Sequence, residues 1–172
     1  MNANLAEWNQ APEDAAMETM IACCGARRWA EAMVALRPLN GIVELSTEAD
    51  RVWSTMEESD WMEASACHPR IGERSPRRIA HATAKSMAWS RQEQASAAEA
   101  SERVMDELAE GNRLYEERFG FTYIVCATGK SAAEMLAILN RRLANDRATE
   151  LREAAEQQRQ IMQIRLGKWL AS

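Results

Sequence analysis

Three side chains, those of His68, Glu93 and Arg165, are the candidates for chemistry in this sequence. His68 is one of only two histidines and stands directly before Pro69, in a stretch that ends at Gly72. Proline disfavours helical geometry at the residue before it and glycine permits a turn, so His68 is predicted to lie on a loop. An imidazole can move a proton near neutral pH, which makes His68 a candidate general acid. A surface or capping histidine is the structural alternative.

Glu93 has a structural interpretation as well as a chemical one. It follows Ser90 by three residues, the capping-box spacing in which a glutamate reaches back to a helix-terminal amide. On spacing alone this pattern favours a cap. Gln94 comes directly after Glu93, and its amide both donates and accepts hydrogen bonds, as a ureido or lactam substrate would require.

Arg165 interrupts an apolar helix face. Ile161 and Met162 precede it by four and three residues, and Trp169 follows it by four, so all three share its face. A guanidinium there needs an acceptor, which an ion-pair partner, the end of the helix or a substrate would provide. His81 falls within a helical pattern beside no other ligand type and is predicted to be structural.

Two other patterns suggest chemistry that the sequence does not support. Gly129-Lys130-Ser131 is similar to the end of a phosphate-binding loop, but that motif requires glycine at the position of Ile124. Cys67 beside His68 suggests a thiol nucleophile with its base. Neighbours in an extended segment point to opposite sides, however, and no third orienting group is evident. Of the functions that the sequence suggests, a Cys67-based hydrolase is therefore the least favoured.

The charge balance argues against a nucleic-acid partner. Lys and Arg total 21 against 26 Asp and Glu, a net charge of −5, whereas binding to phosphates needs a basic stripe. The pairs Arg77-Arg78 and Arg141-Arg142 are interpreted as solvated helix faces.

The four cysteines predict free thiols and no zinc site. Cys23, Cys24, Cys67 and Cys126 form no C-x-x-C pair, and no histidine stands at metal-ligand spacing from them. The first ten residues carry no export-signal pattern, and no stretch approaches the ~20 apolar residues that span a bilayer. We therefore expect a cytoplasmic protein without a metal or membrane partner.

Helices are the elements that must position these residues. The stretch 119–126 is the one strand-like part of the chain. The fold class predicted for residues 1–172 is all-α, a single-domain bundle of about eight helices with one extended crossing segment. Apolar spacing and capping patterns place the main helices at 12–24, 27–36, 46–66, from 76, 90–118, 131–143 and from 146.

Five motifs together resemble OHCU (2-oxo-4-hydroxy-4-carboxy-5-ureidoimidazoline) decarboxylase in order and spacing, over almost the whole chain. The motifs are His68-Pro69-Arg70-Ile71-Gly72, Trp89-Ser90-x-x-Glu93-Gln94, Phe119-Gly120-Phe121-x-Tyr123-Ile124-Val125-Cys126-Ala127, Arg141-Arg142-Leu143-x-Asn145-Asp146 and Ile164-Arg165-Leu166.

The resemblance implies cofactor-free decarboxylation of OHCU to (S)-allantoin in urate degradation, in a homodimer. It makes His68 the proton donor, Glu93 its partner, and Arg165 and Gln94 the substrate anchors. The alternative is a non-catalytic helical interaction module of the same fold, because fold does not fix function. The rest of the implied pocket is made by Pro69, Ser90 and the backbone of Tyr123, Ile124, Val125, Cys126 and Ala127.

Overall fold

The computed structural model of the chain describes residues 2–72, 82–95 and 100–172, and within those ranges it contains nine α-helices and no strand. The all-α fold class is therefore confirmed. None of these helices combines the length and the apolarity needed to cross a membrane. The helices are α1 (Ala3–Gln10), α2 (Glu13–Cys24), α3 (Arg27–Ala35), α4 (Ile42–Trp53), α5 (Glu58–Ala66), α6 (Ala84–Glu93), α7 (Glu102–Phe119), α8 (Ala132–Arg142) and α9 (Arg147–Leu170).

Several predicted helix ends are confirmed by their caps. Gly25 ends α2 in the left-handed region, with φ of 89°, a conformation that glycine adopts at little cost. At the start of α8, the Ser131 hydroxyl accepts from the Glu134 amide at 3.2 Å, and the Glu134 carboxylate accepts from the Ser131 amide at 2.7 Å. This is the capping box that the sequence predicted.

The N-terminal part of the chain departs from the prediction in two places. Helix α1 was not predicted; its N-cap is Asn2, whose side chain accepts from the Leu5 amide at 3.2 Å. Helix α4 begins at Ile42, not near Ser46, and a break after Trp53 separates it from α5. The predicted helix over 46–66 is thus two helices.

The predicted helix over 90–118 is wrong. Thr83 and Ser86 form the capping box that opens α6, and α6 ends at Glu93. Helix α7 begins later, with the Ser101 hydroxyl as its N-cap. The predicted helix start at Ser75-Pro76, the pair Arg77-Arg78 and His81 lie outside the described residues.

The first of two compact units comprises Met1–Ala64 and Arg159–Ser172. Buried indole groups organise its core. Trp29 Nε1 donates to the Ala49 carbonyl at 3.1 Å, which ties α3 to α4. The rings of Trp8 and Trp169 meet edge to face with centroids 6.1 Å apart, a favoured aromatic geometry.

The second unit comprises Ser65–Gln158. Helices α7 and α8 pack closely at Gly111, where an added Cβ would lie 2.6 Å from a Leu139 methyl carbon. Only glycine permits that approach of the two helices. Tyr115, which is fully buried, extends from α7 into a cluster of aromatic rings with Phe119, Phe121 and Tyr123.

Candidate active site

His68 lies on a loop directly after α5, as predicted. Its amide donates to the Ser65 carbonyl at 3.2 Å, which continues the last turn of the helix before Pro69 redirects the chain. His68 is 9% exposed, and Cys67 and Ile71 are also buried. The imidazole is therefore held in the protein interior and is not a surface group.

Helix α7 anchors the loop that carries His68. Asn112 Nδ2 donates to the Ile71 carbonyl at 3.1 Å. Arg70 binds both carboxylate oxygens of Glu116, with 2.8 Å between Nε and Oε1. These contacts hold two consecutive loop residues on one turn of α7, and a paired guanidinium–carboxylate contact also fixes the orientation of the backbone that carries it.

The end of α6 contacts the same loop through Gln94. The Gln94 carbonyl oxygen accepts a hydrogen bond of 3.2 Å from the Gly72 amide. Ser90, which is buried, and Glu93, which is half-buried, precede Gln94 by four residues and by one. At i, i+3 and i+4 these side chains share one face of the helix end. The structure thus places Gln94 in contact with the His68 loop, and Ser90 and Glu93 on the same helix end as Gln94.

The position of Glu93 removes its structural interpretation as an N-terminal cap. Glu93 is the last residue of α6, and the capping box of that helix is made by Thr83 and Ser86. A carboxylate at the C-terminal end of a helix is opposed by the helix dipole. The helix dipole therefore disfavours the Glu93 carboxylate at this position.

The predicted strand-like stretch 119–126 is only partly correct, because Phe119 is the last residue of α7 and residues 122–127 are neither helix nor strand. Residues 123–127, called the extended segment below, are all buried. The backbone is held by side chains from α8, α9 and the turn before α8. Arg142 Nη1 donates to the Ile124 carbonyl at 2.7 Å. The Cys126 amide donates to Gln157 Oε1 at 2.9 Å, and the Cys126 carbonyl accepts from Lys130 Nζ at 2.8 Å. Lys130 thus binds the backbone of this segment, and Ser131 caps α8, so neither belongs to a phosphate-binding loop.

One turn of α7 supports both the loop and the extended segment. Asn112 and Glu116 bind the loop, while Tyr115 between them packs on the Tyr123 ring with centroids 5.3 Å apart. The structure therefore brings the His68 loop and the segment 123–127 onto the same helical support within the second unit.

Arg165 lies in the first unit and is 2% exposed. The neighbours that the sequence predicted, Ile161, Met162 and Trp169, are buried as well. The prediction that Arg165 occupies an apolar face is confirmed.

The sequence analysis missed a buried ion pair beside the extended segment. Arg142, predicted to be solvated, is fully buried with Glu150, and both side chains are 0% exposed. Burial opposes the charge of Arg142, but its hydrogen bonds to Glu150 raise its pKa above the ordinary value. The signal was present, because Arg142 follows Met135 and Leu139 at the i, i+4, i+7 spacing of a buried stripe.

No group of three or more His, Cys, Asp or Glu side chains suited to a metal ion occurs in the part of the chain that the structure describes. A cavity of about 280 Å³ is lined by Arg70, Ile71 and Gly72 of the loop and by residues of α7. None of the four cysteines forms a disulfide.

The family model for OHCU decarboxylase matches residues 9–167. The chain belongs to the OHCU decarboxylase family. The match includes every motif on which the resemblance was based, from the His68 loop to Arg165. This membership accounts for the order of the motifs along the chain.

Curated members of the OHCU decarboxylase family and related bifunctional proteins are similar to this chain. The uric acid degradation bifunctional protein TTL of Arabidopsis thaliana is 37% identical over 148 residues, which are 85% of this chain and 44% of that protein. The 2-oxo-4-hydroxy-4-carboxy-5-ureidoimidazoline decarboxylase of Haloferax volcanii is 26% identical over 79% of this chain and 77% of its own length. The chain therefore spans less than half of the Arabidopsis relative.

A solved structure shares the fold. A crystal structure of OHCU decarboxylase in the presence of (S)-allantoin superposes with a TM-score of 0.76, at 30% identity, over 94% of this chain and 100% of that one.

Proposed function

We propose that this chain decarboxylates OHCU to (S)-allantoin without a cofactor. The observation that carries the proposal is the buried His68 loop, which contacts the end of α6 at Gln94 in a chain of this family. The relatives named for this activity and for uric acid degradation support the choice of substrate.

His68 is the proton donor in this proposal, and Glu93 is the partner that favours its charged form. Gln94 has its oxygen occupied by the Gly72 amide, so the amide NH₂ is the part that can donate to a substrate oxygen. Pro69, Ser90 and the backbone of 123–127 line the pocket.

The chemistry needs little beyond these groups. Loss of CO₂ leaves an electron pair that spreads into the neighbouring C=N of the imidazoline ring. The enol-like intermediate must then be protonated at carbon, on one face. A buried acid and fixed hydrogen-bond donors are what such a reaction requires, because preorganised donors stabilise the developing charge in the absence of water.

Arg165 is the second substrate anchor in this proposal. A tight clamp on the departing carboxylate would stabilise the ground state more than the transition state. Arg165 is therefore proposed to bind those substrate oxygens that gain negative charge as CO₂ leaves. Arg165→Gln should accordingly lower kcat by a larger factor than it raises KM; a change confined to KM would contradict this role.

No metal is invoked, because the intermediate has its own electron sink in the ring. Turnover should be unchanged in EDTA. Loss of turnover that a divalent ion restores would reject this part of the proposal.

A homodimer in the cytoplasm is the proposed state of the protein, with the substrate as its partner. Family resemblance is the basis of the dimer. A monomeric mass in sedimentation at micromolar concentration would contradict it.

The activity is tested by release of CO₂ from OHCU, generated in place by uricase and hydroxyisourate hydrolase. The protein should accelerate the release over spontaneous decay, and His68→Asn should lose most of that acceleration. Equal rates with and without the wild-type protein would reject the function.

A further inference from the structure

The buried pair of Arg142 and Glu150 is not explained by stability alone. Both side chains are 0% exposed, and Arg142 Nη2 lies 2.5 Å from Glu150 Oε1. Removing two charges from water costs several kcal/mol per ion in effect, and the attraction between them commonly only offsets that cost. An apolar pair of similar volume would commonly stabilise the fold as well.

The carboxylate of Glu150 is held from several sides. Its Oε1 accepts from Arg142 Nε at 2.8 Å and from the Tyr115 hydroxyl, while Oε2 accepts from Asn145 Nδ2 at 2.8 Å. Burial, together with Glu150, raises the pKa of Tyr115, so its phenol remains a donor. Both carboxylate oxygens are thus bonded, and they orient the plane of the guanidinium bound to them.

That plane directs the remaining edge of Arg142 to the extended segment. Nε and Nη2 are used on Glu150, and Nη1 donates to the Ile124 carbonyl at 2.7 Å. The guanidinium carbon also lies 4.9 Å from the centre of the Tyr123 ring, within the range of a cation–π contact. Arg142 therefore contacts two consecutive residues of the segment.

The segment depends on such side chains because it belongs to no strand. A buried backbone must have its polar groups bonded, and neighbouring strands usually provide the partners. Here Arg142 bonds the carbonyl of Ile124, and Gln157 bonds the amide of Cys126. These bonds do not use the N–H or the carbonyl of Val125, which lies between the two anchored residues.

We infer that Arg142 is a positioning residue for the decarboxylation: through the Ile124 carbonyl it sets the backbone of 123–127 against the substrate ring, and so determines which face is protonated. The inference rests on the proposed function. Arg142 acts through the backbone and is given no contact with substrate.

The test replaces the pair together, by Arg142→Met with Glu150→Met, so that no unpaired charge remains buried. With enough enzyme to make spontaneous decay negligible, we expect a folded protein in which kcat falls by roughly 10- to 100-fold, as small displacements of a binding group produce, and in which the excess of (S)-allantoin over its mirror image falls as well. A merely structural role would alter the melting temperature and leave the enantiomeric excess unchanged.

The matched control is Arg113→Met with Glu117→Met, which removes an ion pair whose side chains are 50% and 60% exposed on α7. It should keep both kcat and the enantiomeric excess. If the Arg142 double variant does not fold, Arg142→Lys decides, because an ammonium cannot bridge Glu150 and the Ile124 carbonyl in the same geometry. Wild-type kcat and enantiomeric excess in either folded variant would overturn the inference. Absence of activity in the wild-type protein would instead reject the proposed function.

Discussion

The Gln94 side-chain oxygen accepts a hydrogen bond of 3.2 Å from the amide of Gly72. This bond joins the end of α6, which carries Ser90 and Glu93, to the loop that carries His68. The two ends of the Gln94 amide therefore have different roles. The oxygen binds the loop, and the NH₂ group is the part that can donate to a substrate.

Gln94→Glu separates these two roles. A glutamate keeps an acceptor for the Gly72 amide but cannot donate to a substrate oxygen. We expect the free energy of unfolding to fall by no more than about 1 kcal/mol, because the helix dipole opposes the new carboxylate at the end of α6, while kcat/KM falls by roughly tenfold or more, the cost of one hydrogen bond. Urea denaturation and steady-state kinetics measure the two effects. Unchanged kinetics would restrict Gln94 to holding the loop.

Glu93→Gln tests whether Glu93 and His68 act as one unit. Removing the carboxylate weakens the proposed contact with His68 but relieves an unfavourable interaction with the helix dipole, so we expect the free energy of unfolding to be nearly unchanged. Turnover should nevertheless fall by roughly 10²–10⁴-fold, the contribution of a positioned acid. The double variant with His68→Asn should be little worse than either single variant. If the double variant instead loses turnover by the product of the two single factors, the two residues act independently.

Gly72→Ala tests the conformation of the loop. Gly72 has φ of +77°, and an added Cβ would lie 3.1 Å from the Met105 methyl carbon. An L-residue in the left-handed region costs about 1–2 kcal/mol, and the crowding should displace the loop, so we expect losses of both stability and turnover.

Gly120→Ala is the control for Gly72→Ala. Gly120 has φ of +82° but nothing within 4 Å of an added Cβ. It should lose similar stability in urea denaturation and keep its turnover. Equal turnover of the two variants would show that catalysis does not depend on the loop geometry.

Asp146→Asn tests the pH dependence of stability. Hydrogen bonds from the Thr149 amide and hydroxyl lower the pKa of Asp146. A carboxyl with a lowered folded pKa stabilises the protein above its unfolded pKa, near 4, and loses this contribution as the pH falls through the folded value. The wild-type protein should therefore melt above the variant at pH 7, and the difference should shrink below pH ~4. A difference in melting temperature that is independent of pH would exclude this linkage.

The fold was predictable where local chemistry decides it. Pro69 and Gly72 placed His68 on a loop, and Gly25 and the Ser131 capping box marked true helix ends. Ser90 and Glu93 show the limit of that reasoning, because their capping spacing occurs inside a helix whose cap is made by Thr83 and Ser86. A pattern of four residues does not reveal where the preceding helix began.

The partner of Arg142 was less accessible to sequence reasoning than its place on a buried stripe. An arginine is normally solvated unless a partner is buried with it. Here the partner, Glu150, lies eight residues further along, beyond the break between α8 and α9, and Tyr115 comes from a third helix. An ion pair between residues of different helices is recognised only when the tertiary structure is known.

The hand of the allantoin product tests the central claim most directly. OHCU is generated in place by uricase and hydroxyisourate hydrolase, and circular dichroism follows the product with and without this protein. Spontaneous decay yields both mirror images and no lasting signal. We predict that the wild-type protein yields the signal of (S)-allantoin and that His68→Asn yields little or none. A trace that the wild-type protein leaves unchanged would contradict the decarboxylase function.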